Sequence, residues 1–99
     1  MIIDTETVEK TTVLTLRGRL DTVNAPQLEQ AIKQMGDDIS ELVLDFADIE
    51  YISSMGLRVL LQTHRAMKGK NKRFMVRNMR ESVREVFEMT GFAGIIAAG

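Results

Sequence analysis

Apolar residues occur in short blocks along the chain, and the spacing within each block predicts alternating strands and helices. Residues 2–9 and 11–17 are rich in Thr, Val and Ile and are separated by a polar break at Lys10, which predicts an N-terminal antiparallel hairpin. The run Leu42–Phe46 is apolar except for Asp45, a pattern typical of a strand that is covered on both faces, as in a parallel sheet. This run is therefore the expected central strand.

Three further segments have apolar residues at helical spacing. The first opens at Asn24-Ala25-Pro26, with Asn24 as the expected cap and a proline in the first turn. The second opens at Ser53-Ser54, and the third at Asn78, which forms a predicted capping box with Glu81. The glycines expected to end the first and third helices are Gly36 and Gly91. The predicted buried lines are Ala25, Leu28, Ile32 and Met35, then Leu57, Leu60, Leu61 and His64, then Met79, Val83, Val86, Phe87 and Thr90.

The segments between these elements are predicted to be turns and short strands. Residues 18–23 are expected to leave the sheet, and residues 47–52 to form a polar loop before the second helix. Residues 68–72 read as a solvated basic turn, with a phosphate or partner contact as the alternative. Residues 74–76 predict a strand, and residues 92–96 a last short strand or a docked tail. This order predicts an α/β fold with a mixed sheet and right-handed crossovers.

Composition fits one domain over residues 1–99 and excludes several classes of protein. The chain is 44% hydrophobic and 27% charged, with a formal net charge of -1, so there is no basic excess to attract nucleic acid or an acidic membrane. It has no cysteine, which excludes disulfides and thiolate metal sites and favours a reducing compartment. No export signal or membrane-spanning apolar run is present, so we expect a cytoplasmic protein.

No set of residues in the sequence has the types and spacing expected of a catalytic, cofactor or metal site. His64 is the only histidine, and on an apolar helix line it is expected to pack rather than to catalyse. Asp45, Asp48 and Glu50 lie close in sequence and could hold Mg²⁺, although acidic residues in a loop are more often solvated. Glycine-rich phosphate cradles of the GxxxxGK and GxGxxG types are absent. A binding protein is therefore favoured over an enzyme.

Ser53 and Ser54 stand at the predicted start of the middle helix. The first turn of a helix has unpaired N–H groups and a partial positive charge, so an anion is stabilised there. Each serine could cap these N–H groups, or carry a phosphate that interacts with them more strongly. The pattern of residues alone leaves both possibilities open.

Two motifs resemble those of the STAS domain family, specifically its stand-alone bacterial anti-sigma factor antagonists. The segment from Gly18-Arg19-Leu20-Asp21 to Asn24-Ala25-Pro26 is similar to the family pattern G-x-[LV]-D-x-x-x-[AS]. The segment Ile52–Leu60 is similar to the signature D-S-[ST]-G-L at a helix start. The resemblance implies a mixed sheet of four or five strands, with an N-terminal hairpin and three or more helices packed on it.

The resemblance also implies a function in regulating transcription. Family members bind a serine kinase, a histidine-kinase-like ATPase that doubles as an anti-sigma factor, and thereby free the sigma factor. Phosphorylation of one serine by that kinase breaks the pairing, and a serine phosphatase is a possible further partner. The alternative is an accessory subunit of a membrane transporter, such as a lipid-transport ATPase, without a phosphoswitch. A nucleotide-binding protein is a third reading, and the oligomeric state is expected to be a monomer or a weak dimer.

Matching on Gly56-Leu57 places the family's phosphorylated serine at Ser54. Ser53 then stands where the family has an aspartate, and Met55 where it has a second hydroxyl residue. Arg58 replaces a glycine that many members have at this position.

Asp21 receives a role from the same match, and further residues around this loop belong to a hypothesised docking surface. Asp21 corresponds to a family aspartate that positions the hydroxyl or a metal, although a turn-forming bond to the backbone is an equal possibility. Asn24 also lies near the expected site. The hypothesised docking surface consists of the loop from Asp48 to Met55 and an exposed helix line, and its charged and polar members are Asp48, Glu50, Arg58, Gln62 and Arg65.

Overall fold

A mixed five-stranded sheet forms the centre of the computed structural model, which describes all 99 residues. Its strands, which lie side by side in chain order, are β1 (Ile2–Val8), β2 (Thr11–Leu20), β3 (Glu41–Ile52), β4 (Arg73–Arg77) and β5 (Ala97–Ala98). β1 and β2 form an antiparallel hairpin, and each later strand is parallel to the one before it. The predicted hairpin, mixed sheet and central strand are confirmed.

Three α-helices connect the parallel strands: α1 (Ala25–Lys33), α2 (Ser54–Gly69) and α3 (Glu81–Thr90), followed by a short 3₁₀ turn at Phe92–Gly94. Because the strands follow one another in one direction, right-handed crossovers place all three helices on the same face of the sheet. None of these helices is long and apolar enough to span a bilayer. The order of strands and helices confirms the α/β fold expected from the sequence.

The core lies between this face of the sheet and the helices. The buried positions of the predicted lines include Leu28, Leu57, Leu60, Val83 and Phe87. Leu61 and His64 are only half-buried, because the covered side of α2 is turned toward α1 and buries Val59, Thr63 and Met67 instead. The Thr63 hydroxyl is accommodated by donating a 2.8 Å hydrogen bond to the Val59 carbonyl.

The predicted loop at residues 47–52 is wrong, because β3 continues through it to Ile52. The expected departure of residues 18–23 from the sheet is likewise wrong for its first part, since β2 continues to Leu20 and pairs with this half of β3. Irregularities in the β2–β3 register break the alternation of inward and outward residues. Phe46, Ile49 and Ile52 are buried at intervals of three, a spacing that is not typical of a strand.

The helix ends agree with the prediction only in part. Gly91 ends α3 in the left-handed conformation at φ 81°, as predicted. The capping box is wrong, because Arg80 is the N-cap residue and makes no side-chain cap. Asn78 has φ 59° and donates its amide to Asp45 Oδ2 at 3.2 Å.

α1 ends earlier than predicted, at Lys33, with Gln34 as its C-cap in a right-handed conformation. Gly36 therefore lies in the connection that follows and does not terminate the helix. At the other end of the chain, residues 92–96 form a docked tail as one reading predicts, and the last short strand of the other reading lies just beyond them at Ala97–Ala98. Ile96 is buried in the core, and the two residues of β5 pair with Met75 and Val76.

β1 is an edge strand whose outer side has no neighbouring strand. Two of its large apolar side chains, Ile2 and Val8, are more than half exposed. Asp4 and Glu6 lie between them on the same face and are also exposed. Asp4 lies 3.8 Å from the Arg17 guanidinium on β2.

Candidate functional site

The candidate site lies where the parallel strands β2 and β3 end. Leu20 and Ile52, their last residues, are paired in the sheet, so the segments that follow them leave from the same edge. Ser53 N–H donates a 2.9 Å hydrogen bond to the Leu20 carbonyl and joins the two segments directly. The carboxyl edge of parallel strands is where α/β proteins commonly bind ligands and partners.

Ser53 caps α2, as one of the two readings of the serine pair predicts. Its backbone is extended, with φ -94° and ψ 172°, and its Oγ accepts a 3.2 Å hydrogen bond from Gly56 N–H. One orphan donor of the first turn is thereby satisfied. The side chain is half-buried and engaged in the fold.

Ser54 is the first residue of α2, and its side chain is exposed. Its hydroxyl makes no hydrogen bond within the protein, and the neighbouring Ser53 provides the cap of α2. The hydroxyl is thus accessible at the positive end of a sixteen-residue helix.

Gly56 allows the first turn of α2 to approach the end of β2 closely. It is buried, and a Cβ atom there would lie 2.8 Å from the Leu20 carbonyl oxygen and 2.9 Å from Ile52 Cγ1. No larger residue fits unless the helix moves away. The position of the Ser54 hydroxyl therefore depends on this glycine.

Three exposed apolar side chains lie on segments at this edge. Val23, in the β2–α1 connection, is 83% exposed, Tyr51 near the end of β3 is 43% exposed, and Met55 is 36% exposed. The Arg19 guanidinium lies 4.5 Å from the centre of the Tyr51 ring. Met55 and Tyr51 lie within the loop from Asp48 to Met55 that the sequence analysis assigned to the docking surface, whereas Val23 was missed. An apolar residue within the turn-forming segment after Asp21 was the one available signal for Val23.

Asp21 forms the turn that leads from β2 to α1. Its Oδ1 accepts hydrogen bonds from Val23 N–H at 3.1 Å and from Asn24 N–H at 2.9 Å. Its Oδ2 lies 3.9 Å from Arg19 Nε. These contacts support the turn-forming reading of Asp21, and the structure shows no hydrogen bond from the Ser54 hydroxyl to its carboxylate.

Asn24 occupies the N-cap position of α1, but its side chain makes no capping bond, so its predicted capping role is wrong. Its amide instead donates a 2.9 Å hydrogen bond to the Arg19 carbonyl. The N–H of Ala25, the first residue of α1, instead donates a 2.8 Å hydrogen bond to the Asp21 carbonyl.

Asp48 and Glu50 of β3 lie near arginine side chains. Asp48 lies 3.7 Å from Arg17 Nε and 3.9 Å from Arg80, which also approaches Glu50 at 3.9 Å. Both carboxylates are more than half exposed. The structure contains no group of three or more histidine, aspartate or glutamate side chains placed to hold a metal ion.

Asp45 differs from Asp48 and Glu50 because its side chain is largely buried. Burial by itself raises the pKa of this carboxyl. Hydrogen bonds from Ala47 N–H at 3.0 Å, Arg77 Nε at 3.0 Å and the Asn78 amide outweigh burial and lower the pKa below its usual value of 3.8.

Arg58, Gln62 and Arg65 are all exposed on α2, as the hypothesised docking line requires. The four surface cavities of the protein, of about 260 to 400 Å³, are lined by residues other than Ser53 and Ser54. The edge of the sheet around Ser54 is thus an exposed surface with apolar and charged side chains, which suits a macromolecular partner better than a small molecule.

The chain belongs to the STAS domain family, whose sequence profile matches residues 3–98. This match confirms the resemblance carried by the two motifs. It covers both the sheet and the edge at which Ser54 lies.

Its relatives include BtrV of Bordetella bronchiseptica, a candidate anti-sigma factor antagonist, which is 36% identical over 81 residues, or 81% of this chain and 70% of BtrV. A crystal structure of an anti-sigma factor antagonist from Mycobacterium paratuberculosis has 30% identity and a TM-score of 0.88, covering 98% of this chain and 83% of that one. The antagonist SpoIIAA in its unphosphorylated form has 20% identity and a TM-score of 0.81, covering 99% and 88% of the two chains. SpoIIAA of Bacillus in its phosphorylated form has a TM-score of 0.77 at the same identity, covering 99% and 91%.

Proposed function

We propose that this protein is a cytoplasmic anti-sigma factor antagonist that is switched by phosphorylation of Ser54. In its unmodified form it binds an anti-sigma factor serine kinase of the histidine-kinase-like ATPase class and so releases a sigma factor. Phosphorylation by that kinase ends the binding, and a serine phosphatase restores it. The observation that carries this proposal is the exposed, unbonded Ser54 hydroxyl at the start of α2.

The fold tolerates a phosphate at this position. A phosphoserine carries a charge of about -1.5 to -2, and the N-terminus of a helix stabilises such an anion. Ser54 is exposed and takes no part in the cap, so its modification breaks no internal hydrogen bond. The domain therefore remains folded in both states. That SpoIIAA retains a similar fold in its phosphorylated form supports this point.

The kinase does not tolerate the phosphate. Val23, Tyr51 and Met55 provide exposed apolar area on the segments around Ser54, which suits the centre of a protein interface. Burying a dianion among these side chains removes its hydration and costs several kcal/mol unless the partner supplies new cations. Since about 1.4 kcal/mol corresponds to a tenfold change in affinity, a loss of roughly a thousandfold follows.

The test compares the affinity of Ser54→Asp and wild-type protein for a purified histidine-kinase-like ATPase from the same genome. Isothermal titration calorimetry in the presence of ADP should show binding by the wild type and by Ser54→Ala, and binding by Ser54→Asp that is weaker by at least about 100-fold. Ser82→Asp is the matched control, because Ser82 is also exposed in the first turn of a helix. Its affinity should equal that of the wild type.

Incubation with the kinase and ATP, followed by mass spectrometry, tests the modification itself. The wild type should gain one phosphoryl group, and Ser54→Ala should gain none. Equal binding by Ser54→Asp and wild type would refute the switch. Absence of binding to any such kinase would refute the antagonist function and leave the transporter subunit as the better reading.

A further inference from the structure

α2 carries three basic residues and no acidic one along its whole length. Arg58, Arg65 and Lys68 follow Ser54 at intervals of four, eleven and fourteen residues, so all four lie along one side of the helix. Leu61 lies among them, seven residues after Ser54, and is half-buried. We call this set of five residues the α2 stripe. It is about 21 Å long at 1.5 Å per residue.

The cations of the α2 stripe have no partners in the structure. Six of the thirteen basic residues lie within 4.0 Å of a carboxylate, and they are Arg17, Arg19, Lys33, Lys70, Arg77 and Arg80. Arg58, Arg65 and Lys68 take part in none of these ion pairs, and their side chains make no hydrogen bond. The protein as a whole has a formal net charge of -1, so this helix differs in sign from the rest of the surface.

The isolated helix does not favour this arrangement. Arg58 is the fifth residue of α2, close to the end at which the helix dipole favours negative charge. Arg65 and Lys68 are three residues apart, a spacing at which like charges repel. A surface that brings carboxylates to the α2 stripe would relieve both effects.

We propose that the α2 stripe binds an acidic surface of the kinase, with an apolar side chain of that surface against Leu61. This inference rests on the proposed function and adds the chemistry of the partner's matching face. It also gives a second reason for release on phosphorylation. The phosphate would lie at the end of the stripe, where it repels the carboxylates of the kinase and competes for Arg58 one turn further along.

The composition of the stripe favours a protein over another polyanion as its occupant. Nucleic acids and acidic membranes are bound by larger clusters of cations, usually in a domain with a net positive charge. Here three cations flank a leucine in a protein with a net negative charge. Side chains of mixed character at this spacing match an acidic protein surface with an apolar centre.

The test uses the double charge reversal Arg65→Glu and Lys68→Glu, which leaves Ser54 and its surroundings unchanged. Affinity for the purified histidine-kinase-like ATPase is measured by titration at 50 mM and 500 mM NaCl. We expect binding that is about 100-fold weaker than wild type at 50 mM and within about fivefold of it at 500 mM, because salt screens exposed charges. The paired variant Arg65→Lys and Lys68→Arg keeps both charges and should bind within about threefold of wild type.

Arg84→Glu is the matched control, because Arg84 is exposed on another helix and has no ion pair. Its affinity should stay within about twofold of wild type. Parallel titrations use a 20-base-pair DNA duplex and vesicles of phosphatidylcholine and phosphatidylglycerol. Tighter binding to either of these than to the kinase, lost in the double charge reversal, would overturn the choice of occupant.

Two other results separate this inference from the function on which it rests. Kinase binding that the double charge reversal leaves unchanged at both salt concentrations would refute the role of the α2 stripe alone. Absence of kinase binding by the wild type would refute the antagonist function, and the inference with it. Thermal unfolding of each variant within a few degrees of wild type confirms that the domain is folded in these measurements.

Discussion

Replacing Gly56 by alanine tests whether the first turn of α2 depends on its close contact with β2. The added Cβ would lie within 3.0 Å of three atoms, among them the Leu20 carbonyl oxygen at 2.8 Å. Overpacking of this kind is destabilising by about 1–3 kcal/mol. Moving the helix away also stretches the bond from Ser53 N–H to the same carbonyl, which adds about 1 kcal/mol. The better helix propensity of alanine returns about 1 kcal/mol. The net expectation is a destabilisation of about 2 kcal/mol.

Urea unfolding followed by circular dichroism measures this change, which for a chain of 99 residues corresponds to a melting temperature lower by about 10 °C. Gly69→Ala is the matched control in the same helix, because a Cβ atom added there would have no neighbouring atom within 4 Å. We expect it to be as stable as wild type or more stable, by up to about 1 kcal/mol, because alanine favours a helix and meets no clash there. A Gly56→Ala protein as stable as wild type would refute the argument that contact with Leu20 sets the position of α2.

Three further predictions concern the cap, one buried carboxylate and one helix end. Ser53→Ala removes the bond to Gly56 N–H and should destabilise the protein by about 1 kcal/mol, whereas Ser53→Asp should restore most of the loss; urea unfolding of both variants decides this. Because folding lowers the pKa of Asp45, its contribution to stability is present above pH 3.8 and is lost as the pH falls through the folded-state pKa. The stability difference between wild type and Asp45→Asn should therefore shrink below pH 3.8, and a difference that is constant from pH 7 to pH 2.5 would contradict this. Gly91→Ala forces a side chain into φ 81° and should destabilise by about 1 kcal/mol, with Gly91→Asn less affected; equal melting temperatures for all three proteins would count against the left-handed cap.

The parts of the fold that follow from local chemistry could be predicted from the sequence. The apolar run beginning at Leu42 identified the central strand, and the two adjacent serines identified the start of α2. Gly91 marked a helix end because its left-handed conformation is a property of the residue itself. Each of these features depends on a few consecutive residues, which is why the pattern was sufficient.

Features that depend on contacts between distant segments could not be predicted. The second half of β3 resembles a polar loop in the sequence, because its irregular pairing with β2 removes the alternation of buried and exposed residues. Its extended conformation depends on hydrogen bonds to β2, which the local sequence does not reveal. Asn78 resembles a helix cap in the sequence, but its side-chain amide donates a hydrogen bond to Asp45 on β3 instead. At the site, the exposure of Val23 and Tyr51 depends on how the edge of the sheet is built, and the sequence contains no periodic signal for it.

The edge strand β1 has a consequence for self-association. A second copy adding to this edge in antiparallel orientation would bring Asp4 and Glu6 close to their own counterparts, and like charges repel across such a pairing. These carboxylates also lie between the exposed apolar side chains of Ile2 and Val8 and separate them, so that no continuous apolar surface forms on this face. The acidic residues of the first strand thus act as gatekeepers that oppose growth of the sheet into fibres.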